Sequence, residues 1–107
     1  MAISRADRRR DRRPRVVRVF GEALANAVLD VFELTEFAWH DCYGPSELTP
    51  SEDLIDDILL CSGGDLARLV SLSLMAVWDY RDLKVLALET RTRRREIIAL
   101  IQARYSN

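Results

Sequence analysis

Residues 66–107, LARLVSLSLMAVWDYRDLKVLALETRTRRREIIALIQARYSN, contain neither Gly nor Pro, and this decides the fold. With no residue that breaks a helix, helix is expected throughout. Leu66, Leu69, Val70, Leu74, Val77 and Trp78 recur at three-to-four spacing, while Leu72, Met75 and Tyr80 spread apolar surface round most of the circumference. Such a helix belongs at the centre of a bundle or against a partner. The polar cluster Asp79–Asp82 predicts a break, with Asp79 able to cap a new start, so two helices of about 65–80 and 82–104 are expected. Leu83, Leu86, Ile97, Ile98, Ile101 and Tyr105 mark the expected buried side of the second. Between its apolar halves, Arg91, Arg93, Arg94 and Arg95 point in nearly every direction at 100° per residue, a collar that no core can pack.

Upstream, Asp65 is a candidate N-cap, and Gly63 and Gly64 are candidates to end a shorter helix over 50–61. That helix starts on Thr49-Pro50-Ser51-Glu52, read as N-cap, first-turn proline and returning carboxylate. Leu54, Ile55, Ile58 and Leu59 face inward, and Asp53, Asp56 and Asp57 read as a solvated face. Residues 41–48, with Gly44 and Pro45, read as a loop. From 15 to 40, Val17, Phe20, Leu24, Val28, Val31 and Phe32 predict one long amphipathic helix running through Gly21. Residues 1–14, MAISRADRRRDRRP, carry almost no apolar content and end at Pro14, so a flexible arm is expected there. The sum is an all-α fold: a small bundle of three to four helices forming a single domain over 15–107, with a disordered basic arm ahead of it.

Charge is polarised along the chain. Residues 1–18 carry a net +6 and residues 91–107 a net +4, while 19–90 carry −11, so the near-neutral total of −1 conceals three blocks. Basic blocks of this kind either fold back on an acidic surface or reach an external polyanion, where neutralised phosphates release counterions. On the second reading, Arg8, Arg9, Arg10, Arg12, Arg13, Arg15, Arg91, Arg93, Arg94 and Arg95 are the candidate nucleic-acid contacts. The residues from Leu66 to Tyr80 also resemble a helix-turn-helix, with Ala67 between the helices and Ser71 at the turn. A continuous buried helix satisfies the same spacing and is the reading adopted.

Candidates for chemistry are few. His40, Cys42 and Cys61 are three soft ligands without a fourth, so neither a zinc site nor any other cofactor is expected. His40 reads better as a partner of Glu36 one turn back or of a helix C-terminus. Cys42 beside His40 lacks a glycine-rich elbow, the Gly63-Gly64 pair lacks the residues of a phosphate loop, and no enzyme is expected. Apolar runs are too short to span a bilayer and the N-terminus carries no secretory pattern, so a cytoplasmic chain with reduced cysteines is expected. Two functions remain. One is a small nucleic-acid-associated or regulatory protein contacting DNA or RNA; the other is a helical protein–protein interaction module, as a homo-oligomer, assembly component or inhibitor. Leu72, Leu74, Met75 and Trp78 are the candidate partner contacts for the second.

Overall fold

A computed structural model describes residues 4–44, 46–47 and 49–105. These residues form four helices and no strand: α1 (Arg5–Phe20), α2 (Glu22–Tyr43), α3 (Glu52–Ser62) and α4 (Leu66–Tyr105). The all-α bundle expected from periodicity is present. No helix among the described residues is long and apolar enough to cross a membrane.

Gly21 does what the sequence reading discounted. At φ +82° it occupies a conformation that L side chains rarely adopt, and its N–H donates to the Val17 carbonyl, closing α1. The single helix expected over 15–40 is therefore two, and α1 turns back to pack along α2.

The second correction concerns the arm. Residues 5–14, expected to be mobile, are the opening turns of α1; Met1, Ala2 and Ile3 lie outside the described residues. Ser4 supplies a capping box: its hydroxyl accepts from the Asp7 amide at 3.1 Å, and the Asp7 carboxylate accepts from the Ser4 amide. Pro14 lies inside this helix and is exposed, so it withholds one amide without forcing its ring into the core.

The start of α3 also shifts by two residues. Ser51 is the N-cap, its hydroxyl accepting from the Leu54 amide at 3.2 Å, because the Thr49 hydroxyl is engaged by Glu36 and Arg12. Asp65 caps α4 as expected, accepting from the Ala67 amide. Between α3 and α4, Gly63 is left-handed and Gly64 comes so close to α1 that a Cβ would stand 3.1 Å from the Val19 carbonyl oxygen. That close approach fixes the end of α3 against the end of α1.

α4 is the spine. Forty helical residues would span about 60 Å if straight, which is comparable to the longest molecular extent of 56 Å. The break expected near 79–82 falls at Asp79, whose backbone is extended (φ −155°, ψ 88°). Nearby backbone groups find side-chain partners, the Arg81 amide donating to Asp79 Oδ1 and the Val77 carbonyl accepting from the Tyr43 hydroxyl at 2.9 Å. Residues 66–78 form uninterrupted helix, so no turn exists at Ser71 and the helix-turn-helix resemblance fails.

The core gathers Val28, Leu29 and Phe32 of α2, Leu54, Ile55 and Ile58 of α3, and Leu69, Leu72, Ala76, Leu83 and Ala87 of α4. From α1 only Val16 is a fully buried apolar residue. Because Pro14 removes an i→i−4 bond from α1 at an exposed position, Pro14→Ala is expected to stabilise the fold by about 1–3 kcal/mol. Thermal and urea unfolding would measure this, and no gain would argue against a helix continuous through residue 14.

Candidate interaction surface

The arginines of α1 point mostly inward, and one pair lies at the centre. Arg12 is 2% exposed and Glu36 1% exposed, with Arg12 Nη1 donating to Glu36 Oε2 at 3.0 Å. Arg12 also donates through Nη2 to the Thr49 hydroxyl at 3.0 Å and to Glu52 Oε2 at 2.8 Å, joining α1 to α2, to the loop and to the first turn of α3. Arg5 and Arg8 complete the shell of Glu36, so a single buried carboxylate faces three guanidinium groups and one hydroxyl. Further along, Arg9 pairs with Asp30 and Glu33, Arg13 with Glu22, and Arg15 with Glu52 and Asp56. Among the described residues Arg10 pairs only with its neighbours Asp7 and Asp11.

Burial alone would push the Glu36 carboxyl up. The Arg8 hydrogen bond, the Arg12 charge and the Thr49 hydroxyl more than offset it, leaving Glu36 below the ordinary glutamate value; Arg12 and Arg15 do the same for Glu52. Of the two partners expected for His40, Glu36 is not one, because the arginines occupy it; His40 lies instead in the last turn of α2, at the helix C-terminus, and its Nδ1 is buried without a hydrogen-bond partner among the described residues. Asp57, read as part of a solvated face, is 1% exposed. It accepts from Arg91 through Oδ1 and stands 2.6 Å from Lys84 Nζ through Oδ2, a charge contact lacking hydrogen-bond alignment.

Of the ten arginines singled out from the sequence, seven therefore meet carboxylates within the chain, while Arg93, Arg94 and Arg95 have none among the described residues. Arg18 and Arg104 share that condition. Arg18 is not among the candidate contacts read from the sequence, yet it and Arg15 line one cavity of about 510 Å³ together with Arg94.

The apolar partner contacts also sort differently. Leu74 and Trp78 are exposed, Trp78 at 81%, but Leu72 packs in the core and Met75 is half-buried against it, since a helix this central turns those two positions inward. Leu74 joins Val31, Leu34, Ala38, Val70 and Val77 in an apolar groove of about 360 Å³ between α2 and the first half of α4.

The largest departure lies at the far end of α4. The core stops at Ala87, and the half-buried Thr90 and the Arg91–Asp57 pair close the bundle. Every described residue from 91 onward is exposed, including Ile97, Ile98, Leu100, Ile101 and Tyr105, most of which were expected to be buried. The stripe continues the inward face: Ile101 follows Leu83, and Tyr105 follows Ala87, by five full turns. The helix keeps its apolar side but has outrun the helices that would cover it.

Both cysteines are free thiols, Cys42 exposed within α2 and Cys61 buried. Among the described residues no group of three or more His, Cys, Asp or Glu is placed to hold a metal ion. No protein-family model matches the chain, and neither a curated protein nor a solved structure matches it.

Removing one partner from a buried ion pair leaves an uncompensated charge, so Glu36→Gln is expected to cost about 3–5 kcal/mol, against less than about 1 kcal/mol for the exposed Arg13→Ala. Because Glu36 and Glu52 ionise below their ordinary value of 4.5 in the folded chain, their contribution is complete above that pH and is lost as the pH falls towards their folded values. Denaturant melts at successive pH values should show stability falling below pH 4.5, with a shallower fall in Glu36→Gln.

Proposed function

We propose that the chain is a non-enzymatic helical interaction module that self-associates, the projecting end of α4 from one copy lying in the α2–α4 groove of another. The observation that carries this is the exposed stripe Ile97, Ile98, Ile101 and Tyr105, which continues a core face with none of the described residues covering it. Residues at these positions in a solvated helix leave a contiguous apolar patch of the kind that marks a partner surface.

Charge and size favour a second copy as the occupant. With α1 folded back, residues 1–90 still carry a net −5 against +4 for 91–107, so the tail is drawn to the body of another molecule. Two tails laid against each other would instead oppose Arg91–Arg95 to Arg104, a like-charge contact. The groove runs along residues 31–38 and 70–77, about 12 Å at 1.5 Å per residue, which accommodates the one turn from Ile97 to Ile101 or the two turns from Ile98 to Tyr105.

Burying one isoleucine contributes about 1.5–3 kcal/mol, so Ile101→Asp and Leu74→Asp are each expected to weaken association by at least about tenfold. Both positions are exposed within one copy, so melting temperatures should hardly move. Light scattering should report a dimer or larger species for the native chain and monomers for each variant. Mixing the two variants should restore part of the association, since one retains its groove and the other its tail. A native chain that is monomeric at all concentrations overturns the proposal, as does a dimer indifferent to both substitutions.

A second reading is supported by the collar: Arg93, Arg94, Arg95 and Arg104 have no carboxylate partner among the described residues, and nucleic-acid phosphates would supply one. On this reading the contacts move from the α1 arginines to the end of α4. Fluorescence polarisation on duplex DNA and on RNA, repeated across salt concentrations, would test it. Replacing Arg93, Arg94 and Arg95 with Ala should flatten the salt slope by about 0.9 per residue, while Arg9→Ala with Arg13→Ala should leave it unchanged. Absence of binding at low salt removes this reading.

A further inference from the structure

The cavity at the foot of the projecting helix is built unlike the rest of the basic surface. It is lined by Arg15 and Arg18 from the last turns of α1, Asp56, Leu59, Leu60 and Gly63 from α3 and its cap, and Arg94 from α4, with Val19 beside Arg18. Three guanidinium groups face one carboxylate there, and the carboxylate is already committed to Arg15. Arg18 and Arg94 meet no carboxylate among the described residues, although the arginines before them on α1 all do.

The placement of both has identifiable causes. Gly21 ends α1 shortly after Arg18, and the approach of Gly64 to the Val19 carbonyl draws the end of α3 under it. Arg94 lies seven residues beyond Ala87, almost two turns on, so it points to the same side of α4 as that core residue and over the cavity rather than away from it. Arg15, held by Glu52 and Asp56, forms a fixed wall. Leu59 and Leu60 supply an apolar floor, of which Leu59 is buried. The two basic blocks, represented here by Arg18 and Arg94 at 76 positions apart in the sequence, thus meet at one concavity.

We infer that this cavity binds a small phosphomonoester carrying an apolar group, its dianionic phosphoryl oxygens clamped between Arg18 and Arg94. The net excess of two positive charges matches a phosphomonoester near neutral pH, which carries about −1.5 to −2, and the fork of each guanidinium suits two phosphoryl oxygens. The leucine floor takes the organic part, in a volume of about 510 Å³ that falls within the range of small-molecule pockets. This goes beyond the proposed self-association and uses different residues, so either can fail alone.

Calorimetric titration of the full chain with phenyl phosphate, with inorganic phosphate and with a short DNA duplex distinguishes the sources of a phosphoryl group. Phenyl phosphate should bind at one site per chain and more tightly than inorganic phosphate. Arg18→Ala and Arg94→Ala should each weaken it about tenfold, in keeping with the loss of a charge-assisted hydrogen bond; Arg104→Ala, beyond the cavity, should not. Val19→Ser should narrow the preference for phenyl phosphate over inorganic phosphate. Both arginines are exposed, so the variants should melt with the native chain. The inference is overturned if phenyl phosphate does not saturate, if it binds with equal affinity in the Arg18 and Arg94 variants, or if only the duplex binds through those two residues.

Discussion

The fold hangs on the contact between Arg12 and Glu36. α1 brings one fully buried apolar side chain, Val16, to the core, with Val17 and Phe20 packed partly buried beside it, a modest apolar hold confined to the last two turns of a sixteen-residue helix. What holds the rest is charge: Glu36 takes Arg5, Arg8 and Arg12 from α1, while Arg12 reaches across to Thr49 and Glu52 and so fixes the start of α3. The arrangement is costly to desolvate and stable only because its partners are present together, as buried charges require. The outer pairs, such as Arg13 with Glu22, are exposed and contribute little each. Position therefore decides which of these arginines matters, since the sequence presents them as one uniform run.

The parts of the fold legible from sequence were those set by local spacing. The four hydrophobic stripes, the cap at Asp65, the break at Asp79 and the glycine stop after α3 all follow from residues within a turn or two of one another. Gly21 was harder, because periodicity continues on both sides of it and only the packing of α1 on α2 shows that the chain reverses there. The helicity of residues 5–14 was illegible for a different reason. A run of arginines is disordered when its charges face water, and, those of Arg10 apart, its carboxylate partners lie between 9 and 40 positions along the chain. Thr49 shows the same on a small scale: it has the credentials of an N-cap, but a distant arginine and glutamate claim its hydroxyl and Ser51 caps instead.

The candidate surfaces exchange their roles between sequence and structure. The conspicuous arginines at the N-terminus are mostly spent within the molecule, and the residues read as core, Ile97 to Tyr105, lie outside it. Periodicity reports that a helix has an apolar side; whether anything covers that side is a question of length. Here α3 has eleven residues and would reach about 16 Å, while the part of α4 beyond its break at Asp79, residues 80–105, has twenty-six and would reach about 39 Å. A helix of that length laid on partners so much shorter must overhang.

Where the overhang begins is fixed by the last cross-links rather than by a change in α4 itself. Thr90 lies against Cys61 in the final turn of α3, and Arg91 ties down to the buried Asp57, so α4 is anchored up to that level. One turn later Arg94 keeps the same inward direction but finds a cavity, and beyond it Ile98, Ile101 and Tyr105 are exposed, with none of the described residues covering them. The inward face therefore passes in sequence from aliphatic core through charge pair and cationic cavity wall to bare apolar stripe. Each zone differs from the last in what faces it across the bundle, and a single amphipathic helix, by outlasting its neighbours, acquires two open surfaces of different chemistry.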